Sequence, residues 1–326
     1  MKSKFTLRNF LILFVLTLTF SCKTTITPTA TFVEENKEEA MPVWIHGNED
    51  SKYIILAVHG GPGSNVLDFR DYMGGKGFRK LEEDYLVVYW QQRASGQSKG
   101  SNNNNFFTIA QYVEDADKVI DDLKKRYPNK EIVLFGHSWG GMLTSAYLKD
   151  SERRKKVVAW IDAAGVHNGT NLLQSTIADI NNEADKRIEA NENVDYWKDV
   201  KEKLSKKPKV ANKLSYEVLN EIPEVKTKVD MSQFGFTVRA ILSNKALFAE
   251  ILKTDNTPAL ANFNLPILLL WGEYDFSVSK TLRAEVIANI PVKATSISFP
   301  AAGHYIMFHQ PDLFATSIKD FIESLD

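Results

Sequence analysis

The segment Gly136-His137-Ser138-Trp139-Gly140-Gly141 constrains this chain more than any other. It stands between the apolar run Ile132-Val133-Leu134-Phe135 and the helix-like stretch Met142 to Leu148, so a strand must turn into a helix within a few residues. Glycines at 136 and 140 suit such a turn, because a Cβ at either place would collide where strand and helix pass closely. A serine at the apex carries its Oγ above the strand ends. The backbone N–H of Trp139, at the helix N-terminus, points where an anionic oxygen would form. A chance glycine–serine turn would explain the bare pattern, but the strand before it and the helix after it favour a reactive Ser138.

A reactive serine needs a base, and the base needs an orienting acid. Both are found later in the chain, each on a loop after an expected strand. Leu265 to Trp271 reads as a buried parallel strand followed by Gly272-Glu273-Tyr274-Asp275, and Ala294 to Phe299 is another, followed by Pro300-Ala301-Ala302-Gly303-His304. Open α/β sheets place their sites at these carboxyl ends. His304 is therefore the candidate base and Asp275 the candidate acid, with Glu273 as the substitute. A turn-capping role for Asp275 and a surface role for His304 are the plain alternatives. The other histidines (46, 59, 137, 167 and 309) do not follow a late strand and glycine in this way.

A second amide for the anionic oxygen is expected after an earlier strand. Tyr53 to Val58 is such a strand, and His59-Gly60-Gly61-Pro62-Gly63 follows it. Three glycines and a proline in five residues make a tight turn whose amides can approach a ligand, and Gly61 is the candidate donor. Together these pieces resemble the α/β-hydrolase superfamily from about residue 40 to the end. His59 to Gly63 resembles the signature loop of its prolyl aminopeptidase (proline iminopeptidase) branch. That branch also carries D-Q-R-G-x-G-x-S, matched here by Gln91-Gln92-Arg93-Ala94-Ser95-Gly96-Gln97-Ser98. Gln91 replaces its aspartate and Ala94 its first glycine, and His137 stands where the branch usually has glycine. The resemblance implies an α/β-hydrolase fold: a doubly wound, mostly parallel sheet with an inserted helical cap. It further implies a catalytic triad of Ser138, Asp275 and His304, and an oxyanion hole of Trp139 and Gly61.

In those aminopeptidases, acidic cap residues are understood to hold the substrate's free amine. Residues 165–255 turn helical and charge-rich here, between core segments 41–164 and 256–326. Leu173, Ile177, Ile180, Ala184 and Ile188 recur at helical spacing; Trp197, Val200 and Leu204 continue it, and Phe234 to Leu252 is a further apolar-rich stretch. Candidate amine-binding carboxylates are Glu183, Glu189, Glu217, Glu221 and Glu250, although solvated positions are the default for helix glutamates. Tyr196, Trp197, Tyr216, Phe234 and Phe236 are candidates for a pocket or for core packing.

At the N-terminus, Lys2, Lys4 and Arg8 precede the apolar run Phe10 to Phe20, too short to span a bilayer and read as a signal segment. Ser21-Cys22, containing the chain's single cysteine, resembles a bacterial lipoprotein processing site with Thr19 where leucine is usual. The expected organisation is a signal peptide over residues 1–22, lipidated at Cys22, and a flexible tether over 23–40. The enzyme would then be exported to the cell envelope and held to a membrane by its lipid anchor, with ordinary secretory cleavage as the alternative. One cysteine excludes an intramolecular disulfide. A net charge of −1 without a basic stripe gives no footprint for nucleic acid. No metal-ligand spacing and no G-x-G-x-x-G are seen, so no metal or cofactor is expected. The expected activity is aminopeptidase-like hydrolysis of a small amide or short peptide, with a carboxylesterase second. A binding protein on the same scaffold is a third reading, disfavoured by the complete candidate triad.

Overall fold

The computed structural model describes residues 31–33, 39–234, 237–291 and 293–326. The signal segment, Cys22 and Phe236 lie outside these residues. Among the described residues, no helix is long and apolar enough to cross a membrane.

Alternation along the central strands explains the architecture. In β3 (Tyr53–Val58), Ile54, Leu56 and Val58 enter one apolar core while Tyr53, Ile55 and Ala57 enter another. All six side chains are buried. The same division holds in β6 (Glu131–His137), with Ile132 and Leu134 on one face and Val133 and Phe135 on the other. A strand buried on both faces needs a near-continuous apolar run, which is what these segments supply.

The remaining strands are β1 (Thr31–Val33), β2 (Glu39–Gly47), β4 (Leu86–Trp90), β5 (Lys99–Gly100), β7 (Ala159–Ala163), β8 (Ile267–Gly272) and β9 (Thr295–Phe299). They order as β1-β2-β4-β3-β6-β7-β8-β9, with β5 pairing β2. From β4 through β9 every pairing is parallel, while β2 runs antiparallel to β1, β4 and β5. Helices Ile109–Arg126 and Trp139–Leu148 cover one face, and Lys76–Leu81 and Pro311–Glu323 cover the other. Thr108 caps the first of these, its Oγ1 accepting from the Gln111 amide at 3.2 Å.

Two expectations at the start of the chain need correction. The strand expected around Pro42 to Ile45 spans nine residues, because its antiparallel partner β4 supports it to Gly47. Thr31–Val33, placed in the expected tether, instead pair with Met41 to Val43 as an edge strand.

Between β7 and β8 the chain forms helices Leu172–Glu189, Val194–Lys206, Ala211–Glu217 and Val238–Ile251. Leu247 and Ile251 of the fourth join the core of the sheet, whereas the first three have a core of their own, with Ile180, Ala184, Trp197, Val200, Leu204 and Leu214 buried together. Leu173, Ile177 and Ile188 pack at its edge, as the helical spacing predicts. Phe276, from the loop after β8, also enters this core and ties the insertion to the sheet.

Candidate active site

Ser138 follows β6 directly and precedes the helix Trp139–Leu148, with φ 58° and ψ −119°. That is a costly conformation for a residue with a side chain, and the surroundings impose it. Its amide donates to the Ala163 carbonyl at 3.1 Å, and its carbonyl accepts from the Val166 amide at 3.1 Å. The flanking glycines are required sterically. A Cβ on Gly140 would lie 2.2 Å from the Val58 carbonyl oxygen, and one on Gly136 would lie 2.6 Å from that of Gly140. As the first helical residue, Trp139 has an amide with no partner four residues back.

The structure brings His304 and Asp275 together. The His304 Nδ1–H donates to Asp275 Oδ2 at 2.9 Å, and both side chains are buried. Asp275 Oδ1 accepts from the amides of Ser277 and Val278 at 2.8 and 2.9 Å. Burial alone would raise the Asp275 pKa, but His304, Arg283 and these amides overcome it and leave the carboxyl below its ordinary value. Glu273, the alternative acid, is exposed and accepts from the Ala301 amide at 3.3 Å.

His137 joins this pair to the serine. It precedes Ser138 in the chain, and its Nε2–H donates to the His304 carbonyl at 3.0 Å, with ring centroids 4.8 Å apart. Burial, reinforced by His304, depresses its pKa to about 3, so the ring is neutral and its buried Nδ1 is an acceptor with no partner among the described residues.

The His59–Gly63 loop is held from several sides. Gly61 has φ 113°, and a Cβ there would come within 2.7 Å of the Gly63 nitrogen. A Cβ on Gly60 would sit 3.0 Å from both Ser138 Cβ and His137 Nδ1, so loop and elbow are in close register. Gln92 Nε2 donates to the His59 carbonyl at 2.8 Å while its Oε1 accepts from the Trp139 indole at 2.8 Å, bridging loop to elbow. Gln91 donates to the Ser64 carbonyl at 2.9 Å and accepts from the Val66 amide at 3.1 Å. His59 donates from Nδ1 to the Gly60 carbonyl, and its Nε2 faces the Gln91 side-chain amide and the Gln92 backbone amide at 3.3 Å. Burial lowers the His59 pKa to about 4. The donor-bearing Gln91 thus matches an unprotonated Nε2, which an aspartate could not do. Ala94, the other departure in this segment, still adopts the glycine-like φ of 54°.

From the insertion, Asn244 Nδ2 donates to the Pro62 carbonyl at 2.8 Å, and a Cβ on Gly63 would lie 3.0 Å from Ala240 Cβ. The helix Val238–Ile251 therefore sits directly on the loop. Asn244 belongs to no motif, whereas Gln91 and Gln92 carry a sequence signal through the resemblance of Gln91 to Ser98 to the branch pattern.

A cavity of about 300 Å³ opens onto Ser138, Trp139 and Gly61, with Leu172, Tyr216 and Phe248 from the insertion opposite. Asn212, Ser215, Asn244 and Ser277 add neutral polar groups, and none of its lining residues is charged. None of the five candidate glutamates lines this cavity, and four of them have other partners. Glu183 pairs with Arg187 at 2.6 Å, Glu217 with Lys213 at 2.8 Å, and Glu221 accepts from Asn193. Glu250 accepts from the Ile109 amide, and Glu189 is exposed. Of the candidate aromatics, Tyr216 lines the cavity, whereas Tyr196 and Trp197 belong to the inserted core.

A second Ser–His–Asp array exists in the core. His167 contacts Asp162 Oδ2 at 3.0 Å and Ser145 Oγ at 3.1 Å, but all three side chains are fully buried. It fastens the elbow helix to β7 and has no access to substrate. Among the described residues, no cluster of three His, Cys, Asp or Glu is placed to hold a metal ion.

Residues 78–311 match the family model for serine aminopeptidase S33. The chain is 32% identical over 101 residues to the "Probable aminopeptidase YbaC" of Bacillus subtilis, a match covering 30% of each protein. It is 22% identical over 288 residues to the proline iminopeptidase of Heyndrickxia coagulans, covering 83% of this chain and 91% of that one. The crystal structure of a proline iminopeptidase-related protein from Thermus thermophilus superposes with a TM-score of 0.62 at 22% identity, covering 91% of this chain and 97% of that one. An esterase from Rhodococcus superposes at 0.57 with 18% identity, over 91% and 99% of the two chains. These two structures share the fold.

Proposed function

Because the chain belongs to the serine aminopeptidase S33 family and is an α/β-hydrolase-fold enzyme, we propose that it hydrolyses a small amide or ester through an acyl-enzyme on Ser138. The observation that carries this reading is the buried Asp275–His304 pair, joined through His137 to the strained serine. Ser138 Oγ attacks the substrate carbonyl as His304 Nε2 takes its proton. Asp275 keeps the proton of His304 on Nδ1 and stabilises the imidazolium. The amides of Trp139 and Gly61 receive the oxyanion, in a site where fixed dipoles count for more than they do in water. His304 then protonates the leaving group, and water attacks the acyl-enzyme with His304 again as base.

Aminopeptidase-like cleavage of an N-terminal residue is the finer reading, supported by the family match and the proline iminopeptidase relative. Carboxylesterase activity is the second, and the uncharged lining of the main cavity favours it. A panel of aminoacyl arylamides, their N-acetyl forms and short acyl esters separates the two. Undiminished turnover after blocking the amine would remove the aminopeptidase reading.

Lipid anchoring at Cys22 is proposed from the sequence alone. Replacing Cys22 by alanine should release the protein from the membrane fraction, and unchanged partitioning would sink the anchor.

A further inference from the structure

Beside the main cavity lies a smaller recess that shares Ser64 and Tyr305 with it. Gly60, Asp68, His137 and Phe234 complete its main walls. Its free space is about 10 Å³, the room needed by a single water-sized group. Asp68 is half-buried there. Its contact with Asn65 Nδ2 is long, at 3.5 Å, and no cationic side chain pairs with it among the described residues. Phe234 and Tyr305 stack beside it at 5.3 Å between centroids. A carboxylate set among aromatic rings without a partner is costly unless a cation arrives to meet it.

We propose that this recess receives the free ammonium of the substrate, with Asp68 as its counter-charge. The proposal rests on the aminopeptidase reading above and moves amine recognition from the inserted helices to the short helix Asp68–Asp71 that follows β3. Position supports it. Gly60 walls the recess, and a Cβ on that residue would be 3.0 Å from Ser138 Cβ. The α-ammonium of an aminoacyl group is two bonds from the carbonyl carbon, so a carbonyl at Ser138 brings it to this side. The residue's own side chain then extends into the uncharged main cavity. A primary ammonium is compact and carries three donors, whereas an N-acyl group exceeds the space. The unpaired His137 Nδ1 borders the same recess, so its walls present acceptors and no competing cation. Burial, with help from Asp71, raises the Asp68 pKa to about 6, the response of a carboxylate that lacks its counter-ion.

The test compares the wild-type protein with Asp68→Asn on alanyl p-nitroanilide, its N-acetyl form and p-nitrophenyl propionate. The ratio of kcat/KM for the free-amine substrate to that for the ester should fall on the order of a hundredfold in the variant. A wild-type preference for the free amine that survives in Asp68→Asn overturns the subsite and leaves the aminopeptidase reading standing. A wild-type enzyme indifferent to N-acetylation overturns both. Should the variant lose all turnover, inhibition of wild-type ester hydrolysis decides: butylammonium should inhibit far more strongly than butanol, and equal inhibition overturns the subsite.

Discussion

Two histidines in the site are fully buried and neutral, which makes the protein sensitive to mild acid in a calculable way. Burial lowers the pKa of His59 to about 4 and, with the neighbouring His304, that of His137 to about 3. In the unfolded chain both return to about 6.5. Below that value the unfolded state binds protons that the native state refuses, so acid favours unfolding. The stability these two groups confer is complete above about pH 6.5 and is lost progressively toward their folded values. At pH 5 each accounts for about 2 kcal/mol of destabilisation, together about 4 kcal/mol, at 1.36 kcal/mol per pKa unit. That is a large share of the ~5–15 kcal/mol that holds a domain folded. Asp68, with its raised pKa, offsets part of the loss over the same range. Urea unfolding followed by tryptophan fluorescence at pH 7, 6 and 5 measures the total. His137→Gln isolates one member, since glutamine can still donate to the His304 carbonyl but does not titrate. Its stability should fall between pH 7 and pH 5 by about 2 kcal/mol less than that of the wild type. Parallel pH profiles for the two proteins would refute the assignment of His137 as a buried neutral group.

Asp275→Asn should fold, because the side-chain carbonyl can still accept from the Ser277 and Val278 amides. Its NH₂ would then face His304 and force the wrong tautomer, so kcat should fall on the order of 10⁴-fold; a loss under tenfold would argue against Asp275 as the orienting acid. Asp115→Ala removes the carboxylate bonded twice by the Arg93 guanidinium at 2.7 Å and should cost about 3–5 kcal/mol in denaturant unfolding. Asn244→Leu releases the Pro62 carbonyl and should lower kcat more than it changes KM if the loop it clamps holds the oxyanion, as proposed. Equal effects on kcat and KM would assign Asn244 to substrate contact instead.

Legibility in the sequence followed from how local each determinant is. β3, β6 and β8 were readable because burial on both faces demands unbroken apolar runs. β1 and β5 were not, since three and two residues become strands only by pairing with β2. Asp275 and His304 could be found because each follows a strand in the order that triad chemistry requires, and the structure brings their side chains into contact. Their supports could not. Asn244 and Pro62 are 182 residues apart, and an asparagine on a helix carries no mark of the carbonyl it will meet. Charge patterning also failed to separate ligands from ion pairs. Glu183 reads like any acidic helix residue, yet it lies against Arg187, while Asp68, at the start of a short helix, carries no sequence mark of the recess it lines.

The central claim is that Ser138 becomes acylated. Reaction with a fluorophosphonate probe, followed by intact-mass and peptide mass spectrometry, tests it without knowledge of the natural substrate. One equivalent of probe on Ser138, absent from Ser138→Ala, is the predicted result. A wild-type protein that resists the probe, or labelling that persists in Ser138→Ala, would contradict the account.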